Sequence, residues 1–350
     1  MSADVPLRQP FLARLAKGSP PAFVMTSLRK TTMSSLLRLA ALAASLFAFA
    51  LVPAHAAAPR VKTQAPGFYR VMLGDFEITA LSDGTVALPM GKLMTNVQPA
   101  EFDRLLKRAF LADPISTSVN AFLVNTGSKL VLIDAGAGNF FGPTLGNLLT
   151  SLKAAGYQPE QVDEIYITHL HGDHIGGLIA NGAPAFPNAV VRADKRDLDE
   201  WMSTAKMDAA QGDAKQAYQG AMAALGPYQT KGRLQPFDGA TQLMPGIRAL
   251  PAYGHTPGHT LYAVESKGKK MVVIGDLMHV AAVQFPNPAA TISFDSDSPK
   301  AKGQRAKVFA EVAKDGSLLA IAHVSFPGLG HLRKDGAGYT FVPVNYDVIR

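Results

Sequence analysis

Four short apolar runs along the chain each lead directly into a polar residue with chemistry to offer. Residues 130–133 (Leu-Val-Leu-Ile) end at Asp134, and residues 165–167 (Ile-Tyr-Ile) pass through Thr168 into His169. Residues 271–275 (Met-Val-Val-Ile-Gly) end at Asp276, and residues 318–322 (Leu-Leu-Ala-Ile-Ala) end at His323. Runs this short, bounded by turn residues, predict buried strands, and a polar residue at the end of such a strand is delivered to the rim of a sheet.

The remaining pattern fills in around these strands. Residues 69–81 and 118–133 are β-rich, while 99–111 has helical periodicity with charges at Glu101, Asp103, Arg104, Lys107 and Arg108. A helix is expected over 143–155, then strands over 164–167 and 189–192. Residues 194–227, rich in Ala, Asp, Lys and Gln, predict helices with a polar connection at 211–213. Strands follow at 247–252, 260–266 and 271–275, then a helix near 300–314 and a last strand at 318–322. Short strands alternating with helices in both halves, without a regular repeat, predict an α/β domain of two sheets between helical layers. No linker divides it.

Composition bounds the class. The chain has 350 residues, 47% hydrophobic and 17% charged, enough for one domain with a large core. Residues 39–52 form an apolar stretch preceded by Arg29, Lys30 and Arg38 and followed by Pro53-Ala-His-Ala56. This is the charge, apolar core and small-residue exit of a secretory signal peptide, and it is shorter than the ~20 residues of a spanning helix. Cleavage near Ala56 is expected, leaving no stable membrane anchor and a periplasmic or secreted mature chain. Met25 and Met33 are further candidate starts, so residues 1–56 are leader and 57–66 an extended arm.

The leader also distorts the charge. It holds six of the 34 basic residues and one of the 27 acidic ones, so the formal +7 of the whole chain becomes 28 against 26 after its removal. A nearly neutral domain lacks the electrostatic footprint of nucleic-acid binding. The chain has no cysteine, which excludes a thiol nucleophile, a disulfide or thiolate-bound zinc.

The densest chemistry lies at 168–177, Thr-His-Leu-His-Gly-Asp-His-Ile-Gly-Gly. His169 and His171 are two apart and point the same way on an extended segment. Asp173 and His174 can face a second ion once the chain turns at Gly172. Imidazole and carboxylate donors without thiolate suit zinc, with manganese, cobalt or iron also compatible. His255, in the segment Gly-His-Thr-Pro-Gly-His, joins Asp276 and His323 as a further candidate.

In order and setting, His169, His171, Asp173, His174, His255, Asp276 and His323 resemble the ligand motifs of the metallo-β-lactamase superfamily. Residues 130–136 resemble its first motif, and the resemblance runs from about residue 67 to 350. Residues 74–84, 322–328 and 341–345 are similar to the methyl parathion hydrolase group and its lactonase relatives. The resemblance implies an αββα sandwich in a single domain over 67–350 and two divalent metal ions, Zn2+ above others. His169, His171 and His255 would hold one ion, Asp173, His174 and His323 the other, and Asp276 would bridge them. His259 would support the site without binding metal, as would Asp134 by orienting a ligand histidine. His331 is expected at the surface or behind the ligands.

The implied activity is hydrolysis of lactones or aryl esters, of dihydrocoumarin type, by a metal-bridging hydroxide, with Asp173 relaying a proton. His279, where lactonases of this fold carry a tyrosine, would donate to the substrate carbonyl or leaving oxygen. Phe140, Phe141, Trp201 and Tyr218 would wall the substrate pocket, and Leu93, Ile292 and Phe294 would form an apolar rim. Such a pocket fits a small uncharged aryl lactone, ester or phosphotriester better than a β-lactam, whose carboxylate calls for a cationic anchor. Organophosphate triester hydrolysis is the alternative activity, a non-catalytic metal-binding protein is a distant one, and a homodimer is implied.

Overall fold

In a computed structural model, residues 58–349 are described. The expected leader and expected cleavage near Ala56 therefore lie outside the described residues. Gln64–Arg350 forms one compact unit. Among the described residues no helix is long and apolar enough to cross a membrane.

Seven strands in chain order make the first sheet: β1 (Phe68–Leu73), β2 (Phe76–Leu88), β3 (Ile115–Asn125), β4 (Leu130–Ile133), β5 (Glu164–Tyr166), β6 (Val190–Asp194) and β7 (Leu234–Phe237). Seven more make the second: β8 (Thr241–Met244), β9 (Ile247–Pro251), β10 (Thr260–Ser266), β11 (Lys269–Val273), β12 (Leu318–Ala320), β13 (Leu329–Asp335) and β14 (Gly338–Pro343). Strands β4 to β7 are mutually parallel, as are β11 and β12.

Strand alternation sorts the side chains into layers. Phe122 and Val124 of β3, with Val131 and Ile133 of β4, face Met271 and Val273 of β11 in the core between the sheets. Their neighbours Ala121, Leu123, Leu130 and Leu132 face the other way, onto helices α2 (Leu148–Ala154) and α5 (Gly212–Thr230). On the far side of the second sheet, Val272 and Leu319 pack on Val308, Phe309 and Val312 of α6 (Ser298–Asp315). Both faces of each central strand are thus buried, which is why these strands read as continuous apolar runs rather than alternating ones. Truncating a ring such as Phe122, 1% exposed, would cost ~3–5 kcal/mol. The layers are helix, sheet, sheet, helix.

Several expected boundaries shift. The helix expected at 143–155 starts at Leu148, because the buried Asp83 carboxylate accepts the N–H groups of Ala137, Gly146 and Leu148 and holds the preceding residues in a loop. The stretch 99–111 is helical over α1 (Pro99–Arg108). The strand at 318–322 is not the last. β13 and β14 follow as a hairpin at the sheet edge, where exposed Arg333, Lys334 and Asp335 dilute the apolar signal. The helices of 194–227 are α3 (Lys195–Trp201), α4 (Thr204–Ala209) and α5.

Candidate metal centre

The carboxyl ends of β4, β5, β11 and β12 open on one edge of the sandwich, where the loops of a parallel sheet gather reactive groups. Asp134 follows β4, His169 to His174 follow β5, Asp276 follows β11 and His323 follows β12; His255 comes from the loop between β9 and β10.

Two donor groups form there. His169, His171, His255 and Asp276 make one, and Asp173, His174 and His323 make the other, with the donor atoms of each group within 4.8 Å of one another. Asp276 joins them: Oδ1 lies 3.1 Å from Nε2 of both His174 and His323, and Oδ2 lies 3.3 Å from His255 Nε2 and 3.6 Å from His169 Nε2. His171 Nδ1 stands 3.0 Å from Nε2 of both His169 and His255. Asp173 Oδ2 is 3.4 Å from His323 Nε2 and 3.6 Å from His174 Nε2.

The outward nitrogens of these rings are mostly engaged, which fixes which nitrogen faces inward. His323 Nδ1 donates to the Ser118 carbonyl at 2.9 Å, and His174 Nδ1 lies 2.8 Å from Asp134 Oδ2. His169 Nδ1 is 3.1 Å from the Thr168 hydroxyl. Asp134 also accepts from the Thr168 N–H and hydroxyl, and its backbone adopts φ +62°, a left-handed conformation that a non-glycine residue holds only at a cost.

His259 differs from the rest. Its Nδ1 donates to the Ala252 carbonyl at 3.2 Å and its Nε2 accepts the Asp276 N–H at 3.0 Å, so both nitrogens serve the backbone. Gly275 is required there, because its φ is +49° and a Cβ would come 2.8 Å from His259 Nε2.

The inward set fits cations. His174 Nε2 and Asp276 Oδ1 are buried without a hydrogen-bond partner, and the ring nitrogens of His169 and His255 both converge on Nδ1 of His171. Burial holds His169 well below the ordinary imidazole range, and burial with neighbouring His255 takes His171 down to about 3, so both present neutral donors. For Asp276 burial opposes ionisation, but His323, His174 and His169 outweigh it and keep the carboxyl well below the usual range.

Sequence reasoning missed two buried carboxylates. Asp295 Oδ1 lies 2.9 Å from His255 Nδ1, holding that ring as Asp134 holds His174. Asp197 accepts hydrogen bonds from Leu170, Thr256 and Gly258. Both are acids with other acids close by in polar segments, and nothing in their local sequence sets them apart.

Of the expected pocket residues, Trp201 lies edge-on to His171 at 5.5 Å and 5.0 Å from Tyr218, whose hydroxyl donates to Glu200 at 2.6 Å. Phe140 and Phe141 lie partly exposed over Gly172, where a Cβ would come within 3.1 and 3.0 Å of their rings. Phe294 is 6.1 Å from the His279 ring and 41% exposed. Ile292 does not form the rim: it is fully buried, paired with Met94, in a core with Met90 and Val283. The exposed position falls to Phe294, two residues on, because Ile292 turns into the side cluster beneath. Leu93 packs half-buried on that same cluster. His331 is exposed on β13 with Nδ1 3.1 Å from the Gly316 carbonyl. His279 is buried, with Nε2 3.0 Å from Asp276 Oδ2, so Asp276, His279 and His323 form a third donor group.

A family model for the metallo-beta-lactamase superfamily matches residues 116–323, a span that contains every donor of the cluster. The chain belongs to the metallo-β-lactamase superfamily. Among solved structures it is similar to the hydrolase AbOPH of the beta lactamase superfamily, at 36% identity over 82% of this chain and 100% of that one, TM-score 0.78. It is also similar to AidC, a dizinc quorum-quenching lactonase solved with a product, N-hexanoyl-L-homoserine, at 29% identity over 81% of this chain and 99% of that one, TM-score 0.75. An N-acyl homoserine lactonase of Bacillus sp. is 27% identical over 150 residues, 43% of this chain. The chain spans about half of that relative's length, 52%.

Proposed function

We propose that this superfamily member is a two-metal hydrolase that opens small uncharged lactones and aryl esters. The observation that carries the reading is the Asp276 carboxylate shared between two triads of inward-facing donors, with the His279 imidazole beside it. In this reading His169, His171 and His255 would hold one ion, Asp173, His174 and His323 would hold the other, and Asp276 would serve both. The engagement of both His259 nitrogens by backbone supports His255 as the ligand of that segment.

These residues would hold two divalent ions, which would supply Lewis acidity and lower the pKa of water toward neutrality. The protein's own groups do the rest. Asp173, whose side chain is 23% exposed, is placed to take up the proton released as water adds and to pass it to solvent. His279 donates from Nε2 to the carbonyl oxygen or to the ring oxygen that departs when the C–O bond breaks. Trp201 and Phe294 hold the apolar part of the substrate and exclude water from that side.

The substrate class follows from charge. Among the described residues the ion pairs of the donor cluster are all between histidines and aspartates, and none is with a lysine or arginine, which supports an uncharged substrate over one whose carboxylate calls for a cationic anchor. A phosphotriester is the second reading, favoured by the aromatic pair Trp201 and Tyr218 as a wall for an aryl leaving group. Zinc is the metal that the all-imidazole and carboxylate set favours. A kinetic panel of dihydrocoumarin, acyl-homoserine lactones, p-nitrophenyl acetate and methyl parathion tests the reading. The lactones should lead in kcat/KM, and methyl parathion leading would reverse the two readings. The reading also includes export with loss of residues 1–56, which N-terminal sequencing of the mature protein checks; an intact leader would overturn it.

A further inference from the structure

Asp197 lies on α3, 1% exposed, in the third position of the helix. Its Oδ2 accepts the N–H of Leu170 at 3.1 Å and the hydroxyl of Thr256 at 2.8 Å, and its Oδ1 accepts the N–H of Gly258 at 2.5 Å. Leu170 is the residue between His169 and His171, and Thr256 directly follows His255. One carboxylate thereby joins the two loops that carry all three imidazoles of one triad. The approach is tight enough to demand glycine at 258, where a Cβ would meet the Asp197 backbone nitrogen at 2.6 Å.

The same helix carries the pocket wall. Trp201 is four residues after Asp197, so both lie on one face of α3, and Trp201 meets His171 edge-on. The helix is thus pinned to the imidazole loops through Asp197 and touches the site through Trp201. By contrast none of the hydrogen bonds of Asp197 goes to the other triad, Asp173, His174 and His323, whose rings are held by Asp134 and the Ser118 carbonyl.

We propose that Asp197 is a positioning residue that sets the spacing of the His169/His171 loop against the His255 loop, and so selectively tightens one of the two metal positions. The proposal rests on the two-metal reading above. A carboxylate suits the task because all three of its partners are donors, and an amide in its place would turn one N–H toward another N–H or hydroxyl.

The test is stepwise metal release from the zinc-loaded full chain by a chromophoric chelator, for wild type, Asp197→Asn and Thr256→Val. Wild type should release two ions. Asp197→Asn should bind one of them ~10–100-fold more weakly and hold the other as wild type does. Thr256→Val, which removes a single donor and leaves the helix untouched, should weaken the same ion by less, and it decides the matter if Asp197→Asn does not fold. Two ions released as in wild type, with only the melting temperature lowered, would overturn the proposal, as would equal weakening of both ions. A wild-type protein that holds fewer than two ions would instead overturn the two-metal reading itself.

Discussion

His279 holds Nε2 3.0 Å from Oδ2 of Asp276 while its ring stacks on His323 at 5.3 Å and 18°, yet neither ring nitrogen makes a hydrogen bond of good geometry. Burial pushes its pKa down and so favours the neutral ring, whose N–H the proposed function directs to substrate. A donor that acts on oxygens gaining charge contributes mainly in the transition state. His279→Leu should therefore lower kcat on lactones by ~2–4 kcal/mol of barrier, roughly 30- to 1000-fold. Phosphotriesters with a nitrophenolate leaving group should suffer less, so the ratio of the two efficiencies rises. An unchanged ratio with both ions bound would make His279 a packing residue only.

Asp276 is the only carboxylate within reach of both triads among the described residues. Asp276→Ala leaves each triad without its shared anionic donor. Elemental analysis of the variant should find metal content falling from two ions to one or none, with turnover lost in parallel. Full activity in that variant would refute the shared role.

His255 and His259 should separate cleanly. His255→Ala removes an inward nitrogen and should empty one metal position, whereas His259→Ala loosens the Asp276 backbone and should cost ~10–100-fold in affinity or activity with both positions still fillable. Metal titration of the two variants gives the order, and the reverse order would move the ligand to His259.

Asp197 makes a pH-dependent prediction. Burial raises its carboxyl to about 6, against the three hydrogen bonds and an ordinary value of 3.8. Between those values the folded protein binds more protons at this group than the unfolded chain, so ΔG of unfolding falls as pH rises and the cost is fully present above about 6. Metal-free wild type should thus gain up to ~3 kcal/mol relative to Asp197→Asn as the pH is lowered from 7 to 4. Denaturant unfolding at several pH values measures it, and parallel pH profiles would show that Asp197 titrates as an ordinary carboxyl.

The two-sheet α/β layering and the candidate metal donors were legible along the chain because each depends on local order. Strands buried on both faces must be apolar throughout, and the residue that follows such a strand has nowhere to go but the rim. That logic placed Asp134, His169, Asp276 and His323 without any tertiary information. It failed for β13 and β14, where an edge position admits charge, and for Ile292, whose neighbour Phe294 has the same apolar character but faces outward. Asp295 and Asp197 were illegible for a different reason. Each is an ordinary acid in a polar segment, and its meaning comes from contacts across 40 residues to His255 or 59 residues to Thr256. Which side chains are able to bind metal is a property of residue type and spacing, and the sequence determined that much by itself. Which rings are held at the angle to do so is decided by buried hydrogen bonds between distant segments, and these exist only once the two sheets have closed on each other.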